Sequence, residues 1–418
     1  MKQVVGIALV TALLGGGNLR AETAEEKVEA LQKRVETLEA QMKKDGGVSP
    51  SEASAANWPD ESKVSIGGYG EVTYNNFRDH NVKDIADLKR FVLFFGYRFS
   101  EGIKFYSELE VEHAFVKNGN APSQGELEME QAFLEFRVAN PINVRAGLMI
   151  IPSGTINEYH EPPVFYGVER NEVESRIIPT TWRELGVAVQ GVVADGLEYN
   201  AGIVTTPDAS LYSSSTGAAS GFRGMRTSGS KSVANDFGFY AGLNWRGIPG
   251  LLVGGSLYMG DTAQNGNGAT AKAQLAGTGA RLTLWDVHAK YSVAGFDLKA
   301  LYAAGGLDDT AAINAAAGIA PGSNKAAPEA FYGWLGEVAY HVWRKGDHDL
   351  APFMRYERYN TQKEVAAGFA TDPLNDEKVI TLGLNYKPHP QVVIKADYQN
   401  YKADNKKDRW NLGIGYMF

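Results

Sequence analysis

Residues 103–112 read Ile-Lys-Phe-Tyr-Ser-Glu-Leu-Glu-Val-Glu, and alternation of this kind marks a strand with two unlike faces. One face carries Ile103, Phe105, Ser107, Leu109 and Val111; the other carries Lys104, Tyr106, Glu108, Glu110 and Glu112. Four charges on one face cannot point into a dry core, because an ionised side chain without water or a partner is too costly to bury. The same split sets Trp285, Val287, Ala289 and Tyr291 against Asp286, His288 and Lys290, and Trp334, Val338 and Tyr340 against Glu337 and His341. An apolar face backed by a charged one predicts a wall between lipid and water, closed around a wet lumen.

Outward from this segment the period of two holds from residue 64 to the last. Candidate strands fall at 64–75, 88–99, 102–112, 127–139, 142–150, 183–193, 196–205, 236–246, 250–260, 280–293, 295–305, 329–343, 349–359, 377–388, 391–402 and 408–418. Their connections alternate in length. Tight turns such as Asn140-Pro141, Ala194-Asp195, Gly247-Ile248-Pro249, Ala294 and His389-Pro390 alternate with polar loops at 76–87, 113–126, 151–182, 206–235, 261–279, 306–328, 360–376 and 403–407. The expected fold is therefore all-β: a 16-stranded antiparallel transmembrane β-barrel over 64–418, with its turns in the periplasm and its loops outside. Tyr69, Trp245, Trp343 and Trp410, near strand ends, suit interfacial girdles.

Composition agrees. Of 418 residues 47 are glycine and 11% are aromatic, and Cys is absent, which excludes disulfides, thiolate nucleophiles and zinc–thiolate sites. A net charge of −8 argues against a nucleic-acid partner. Residues 1–21 read as a signal peptide, with Lys2, the apolar run Val4 to Leu14, and Ala21 at the cleavage site. Val28, Leu31, Val35, Leu38 and Met42 then recur at alternating spacings of three and four, an a/d seam that predicts a short periplasmic coiled coil over 22–45. A solitary amphipathic helix lying on a surface is the other reading of that stretch. Residues 46–63, with Pro50 and Pro59, form a linker.

The final segment, Trp410-Asn-Leu-Gly-Ile-Gly-Tyr-Met-Phe418, places Trp410, Leu412, Ile414, Tyr416 and Phe418 on one face. It resembles the last strand of bacterial outer-membrane proteins, and the resemblance implies that Phe418 is an assembly signal read by the barrel-assembly machinery. The segment 151–182, flanked by Arg145-Ala-Gly before and Trp182-Arg-Glu-Leu-Gly after, is similar in position and flanks to the third loop of the phosphate-selective porin O and P family. That resemblance implies a loop folded inward to narrow the pore, and a location in the outer membrane among lipid and lipopolysaccharide. Phosphate capture in that family rests on ladders of Arg and Lys. This loop departs from the pattern, carrying Glu158, Glu161, Glu169, Glu172 and Glu174 against Arg170 and Arg176.

Basic residues appear instead on the wall. Arg90, Arg98, Arg137 and Arg145, with Lys104 nearby, all fall on polar faces. An acidic loop facing this cluster would set a field across the constriction; the same groups could equally pair within the wall. Enzyme motifs such as G-x-S-x-G, H-E-x-x-H and the P-loop are missing, so no catalysis is expected. No cofactor is expected either. His113 and His160 on neighbouring loops are a thin hint of a metal, and none is expected there. The expected function is passive diffusion of small hydrophilic solutes or ions through a homotrimeric porin. The alternatives are a channel selective for an anion, phosphate or a sugar, and a structural barrel anchoring the envelope. Val at a with Leu at d favours two strands in an isolated coil, so the trimer expectation rests on the barrel.

Overall fold

The computed structural model describes residues 62–114, 125–139, 141–215, 217–264 and 273–418. The expected signal peptide, the coiled-coil seam at Val28, Leu31, Val35, Leu38 and Met42, and most of the linker lie outside the described residues.

Among the described residues seventeen antiparallel strands form one sheet. They are β1 (Val64–Phe77), β2 (Ile85–Ser100), β3 (Ile103–Glu112), β4 (Leu127–Ala139), β5 (Ile142–Ile150), β6 (Arg183–Ala194), β7 (Leu197–Thr205), β8 (Phe237–Trp245) and β9 (Leu251–Gly260). After these come β10 (Leu282–Val293), β11 (Phe296–Leu307), β12 (Pro328–Tyr340), β13 (Trp343–Lys345), β14 (His348–Val365), β15 (Asp376–His389), β16 (Val392–Tyr401) and β17 (Arg409–Met417). Apart from the short β13, each strand pairs with the next in sequence, and β1 pairs with β17. The ring therefore closes and leaves no open edge. Because β12 also pairs directly with β14, sixteen strands make the wall. The extra β13 is a three-residue hairpin arm on β14; the twelfth candidate strand, 329–343, includes only its first residue, Trp343.

The faces sort as alternation requires. Leu93, Phe95, Val187, Val189, Phe239, Leu243, Val287, Leu382, Leu412 and Ile414 are exposed on the outside, an apolar band fit for lipid contact. Glu71, Arg90, Glu108, Glu110, Asp286, His288, Arg355 and Asn411 are buried inside. No described helix is long and apolar enough to cross a membrane, so any crossing belongs to the strands. The β10–β11 turn has two residues where the sequence reading gives Ala294 alone: Ala294 and Gly295 both take positive φ, 50° and 85°, as the twist of a two-residue hairpin demands.

Two bulges break the alternation where it matters. Glu71 faces Arg90 while Val72 faces Leu88, so Lys89 is an extra residue in β2. Glu108 faces Gln131 while Leu109 faces Met129, so Glu130 is extra in β4. A bulge re-aims the side chains around it. Across Glu130 the inward parity switches: Leu127 and Met129 are exposed outside, whereas Glu130 and Phe133 are buried inside.

Candidate functional site

The segment 151–182 folds into the barrel. Its base is clamped by Ile151 N–H donating to Trp182 O at 3.0 Å. Asn157 reinforces the clamp, its amide donating to Ile151 O and its carbonyl accepting from Trp182 N–H. Ile151, Val173, Ile177, Ile178 and Trp182 are fully buried with Phe222, Tyr258, Phe331 and Tyr359, an apolar cluster that seats the loop on the inner wall. Burial of this kind stabilises by about 1.5–3 kcal/mol per large side chain. On β17, Gly413 and Gly415 make room: a Cβ on Gly415 would stand 2.2 Å from Pro162 Cβ.

From this base the loop reaches the opposite wall. Its short helix α1 (Glu172–Arg176) is capped by Asn171, and its first N–H groups, those of Glu172 and Val173, donate to Glu357 on β14. Val168 N–H donates to Asp397 at 2.6 Å, and Lys395 Nζ donates to Gly167 O at 2.8 Å. Thus the loop bonds to β14 and β16 as well as to its own flanking strands.

The five loop glutamates divide by partner. Glu174 receives Lys299 Nζ at 2.7 Å together with Thr155, Ile156 and Asn171. Glu169 pairs with Lys89, and Glu172 with Arg176 and the Tyr401 hydroxyl. Burial opposes ionisation of all three, but Lys299, Lys89 and Arg176 together with the hydrogen-bond donors around each carboxylate outweigh it and hold each carboxyl at about 2. Burial raises Glu158, which faces the opposing charge of Arg145. Glu161 is pushed up to about 7 by burial against the pull of His160.

The wall arginines do not gather as expected. Arg90 is paired with Glu71 at 2.8 Å and Glu110 at 3.2 Å. Arg145 is paired with Glu135 at 3.0 Å and lies over the Phe133 ring. Arg98 donates to Ser62 O at 2.9 Å near the turn end of β2, and eight strand residues put it about 26 Å from Arg90. Arg137 is exposed near the end of β4, where its N–H donates to Gly102 O, and Lys104 faces Glu135 across the β3–β4 ladder. One basic cluster over these five positions is therefore corrected: strand length separates them, and wall carboxylates neutralise the two that lie nearest the loop.

A different charged cavity, of about 690 Å³, opens beside the loop toward the long-loop end. Glu110, Glu112, Glu126 and Glu128, from β3, β4 and the residue before β4, line it, together with Arg170 and Arg176 of the inward loop and Arg223 and Arg226 of the segment 206–236. Lys89, Arg90 and Arg183 of the wall and Glu169 and Glu172 of the loop line it as well, so wall and loop each supply both signs and the expected division into an acidic loop and a basic wall does not hold. Arg223 donates to Thr180 O at 2.9 Å, and Arg226 donates to Pro179 O at 2.6 Å and Thr181 O at 3.0 Å. Among the described residues neither makes an ion pair. Burial, then repulsion from Arg223 and Arg183, lowers Arg226 to about 9. Sequence reasoning missed these two because 206–235 reads as a Gly/Ala/Ser surface loop, and only Phe222 and Met225, both fully buried, hinted that it turns inward.

His160 is also buried, with Nε2 3.2 Å from Glu108 Oε1 and 3.4 Å from Glu130 Oε2. His113 is elsewhere, exposed and paired with Asp87, so the pairing of the two histidines does not occur.

A closed, wet-walled barrel narrowed by an internal loop is the architecture of porins, and solved structures of that class superpose on this one. They include OmpF of Salmonella typhi in complex with daunomycin, with TM-score 0.54 at 14% identity, covering 85% of this chain and 97% of that one. The anion-selective porin of Comamonas acidovorans gives 0.51 at 15% identity, covering 86% and 100%. A loop L8 deletion mutant of OmpT of Vibrio cholerae gives 0.52 at 12% identity, covering 85% and 99%. A family model described as inverse autotransporter, beta-domain matches residues 333–418, which run from β12 to the end of β17. An uncharacterized protein of Aquifex aeolicus (strain VF5) is 34% identical over 362 residues, covering 85% of this chain and 80% of that one, and the chain belongs to the same family as that protein.

Proposed function

We propose that the protein is an outer-membrane porin through which small hydrophilic solutes diffuse passively, with no covalent chemistry, and that its charged cavity favours small anions. One observation carries the anion preference: Arg223 and Arg226, inside the lumen, spend their hydrogen bonds on main-chain carbonyls and keep their charge for the solute path. Guanidinium groups bind oxyanions through paired donors, so phosphate and similar ions are the solutes this cluster would enrich. The wall acids Glu112, Glu126 and Glu128 supply the other pole of a transverse field. Reversal potential across a bilayer in a salt gradient is the test. A moderate anion preference is expected, reduced by Arg223→Gln with Arg226→Gln; an unchanged potential in that variant would refute the assignment.

The inverse-autotransporter match suggests a second reading, passage of a polypeptide through the barrel. Such a chain would have to displace a loop held by Glu174–Lys299, Glu169–Lys89 and Val168–Asp397 contacts, which favours the diffusion reading.

A further inference from the structure

We propose that His160, Glu108 and Glu130 form a binding site for a divalent cation of the zinc class, fastening the inward loop to β3 and β4. The proposal does not depend on which solute the pore admits. Three ligands suited to such an ion converge: an imidazole nitrogen from the loop and one carboxylate oxygen from each of two strands, all buried. Their spacing fits. Nε2 stands 3.2 Å and 3.4 Å from the two oxygens, and ligands bonded tetrahedrally at about 2.0–2.1 Å stand about 3.4 Å apart.

The other polar atom of each ligand is already held, as in sites where outer groups fix the ligands. His160 Nδ1 donates to Asn157 O at 3.0 Å, which turns Nε2 toward the carboxylates. Glu108 Oε2 accepts from Gln131 at 2.8 Å. Glu130 Oε1 accepts from the Thr181 hydroxyl. What remains is Glu130 Oε2, fully buried, directed at His160 and without a hydrogen-bond donor. A water would complete a fourth position. The β4 bulge puts Glu130 and Gln131, adjacent in the chain, on the same inner face, so that Glu130 reaches His160 while Gln131 holds Glu108.

The test folds the mature chain in detergent with one equivalent of zinc chloride, removes loosely held ion by gel filtration, and counts zinc by atomic emission. One zinc per chain is expected in the parent and in His341→Gln, whose imidazole lies between Asp297 and Asp349. At least about tenfold less is expected in His160→Gln and in Glu130→Gln, and Thr181→Val should weaken retention about 10–100-fold through loss of its support to Glu130. X-ray absorption of the loaded parent should show only nitrogen and oxygen neighbours near about 2.0 Å. Heat-modified mobility confirms that each variant is folded, and if His160→Gln fails that check the isosteric Glu130→Gln decides. A folded parent that keeps no zinc, or a folded Glu130→Gln that keeps a full equivalent, overturns the proposal.

Discussion

Replacing Glu174 by Gln should unseat the constriction loop. Five donors converge on this carboxylate: the Thr155 N–H and hydroxyl, the Ile156 N–H, the Asn171 amide and Lys299 Nζ. An amide of the same shape offers one acceptor oxygen and turns two N–H groups toward them, so some donors lose their partner and Lys299 keeps an uncompensated charge. Breaking a buried pair by removing one member costs about 3–5 kcal/mol. The depression of Glu174 from 4.5 to about 2 independently corresponds to about 3 kcal/mol. That shifts the ratio of unseated to seated loop by a factor of about 100 or more. Single-channel recording should show the parent at a steady level and Glu174→Gln with excursions to higher conductance, and limited proteolysis should cut the variant faster within 151–182. Identical traces and identical cleavage in the two proteins would refute the reasoning.

Acid should have a related effect. Glu169, Glu172 and Glu174 are depressed below 4.5, so their contribution to loop seating is present above about 4.5 and is lost as pH falls toward about 2. Conductance noise should therefore rise as pH falls through that window. Removing Phe418 should lower the amount of protein inserted far more than it alters pore properties. Its N–H and C=O close the ring against Gly68, both at 2.9 Å, yet a half-exposed aromatic contributes only about 1–3 kcal/mol to the finished barrel; equal yields in the membrane would count against this. A heat-modifiable trimer is expected in mild detergent, retained when residues 22–60 are deleted, and a strictly monomeric parent would exclude it.

The wall was legible because alternation is a local property. Ile103 to Glu112 shows both faces in ten residues, and strand positions follow from repeating that reading. The bulges were not, since an extra residue such as Lys89 or Glu130 leaves no mark on composition and shows only when the partner strand is counted. Loop 151–182 was legible as a loop directed inward, through its length and flanks. Its partners were not, because Lys299, Glu357, Asp397 and Tyr401 lie 125 to 229 positions away from the residues they hold. The expected acid-on-loop, base-on-wall polarity failed for the same reason. Strong charges of one sign on a segment attract opposite charges from the wall around them, so the cavity is lined by pairs such as Glu169–Lys89 and Arg90–Glu110 as well as by Arg223 and Arg226.

The central claim is that loop 151–182 stands inside a conducting barrel and sets its width. Single-channel conductance of the mature chain beside a variant lacking residues 153–180, measured in a planar bilayer at one salt concentration, tests it directly. Discrete steps are predicted for the parent, and larger steps with weaker ion discrimination for the deletion, since a wider lumen lets mobile ions screen its walls. A parent that inserts but conducts no ions, or a deletion variant with the parent's conductance, would contradict the claim.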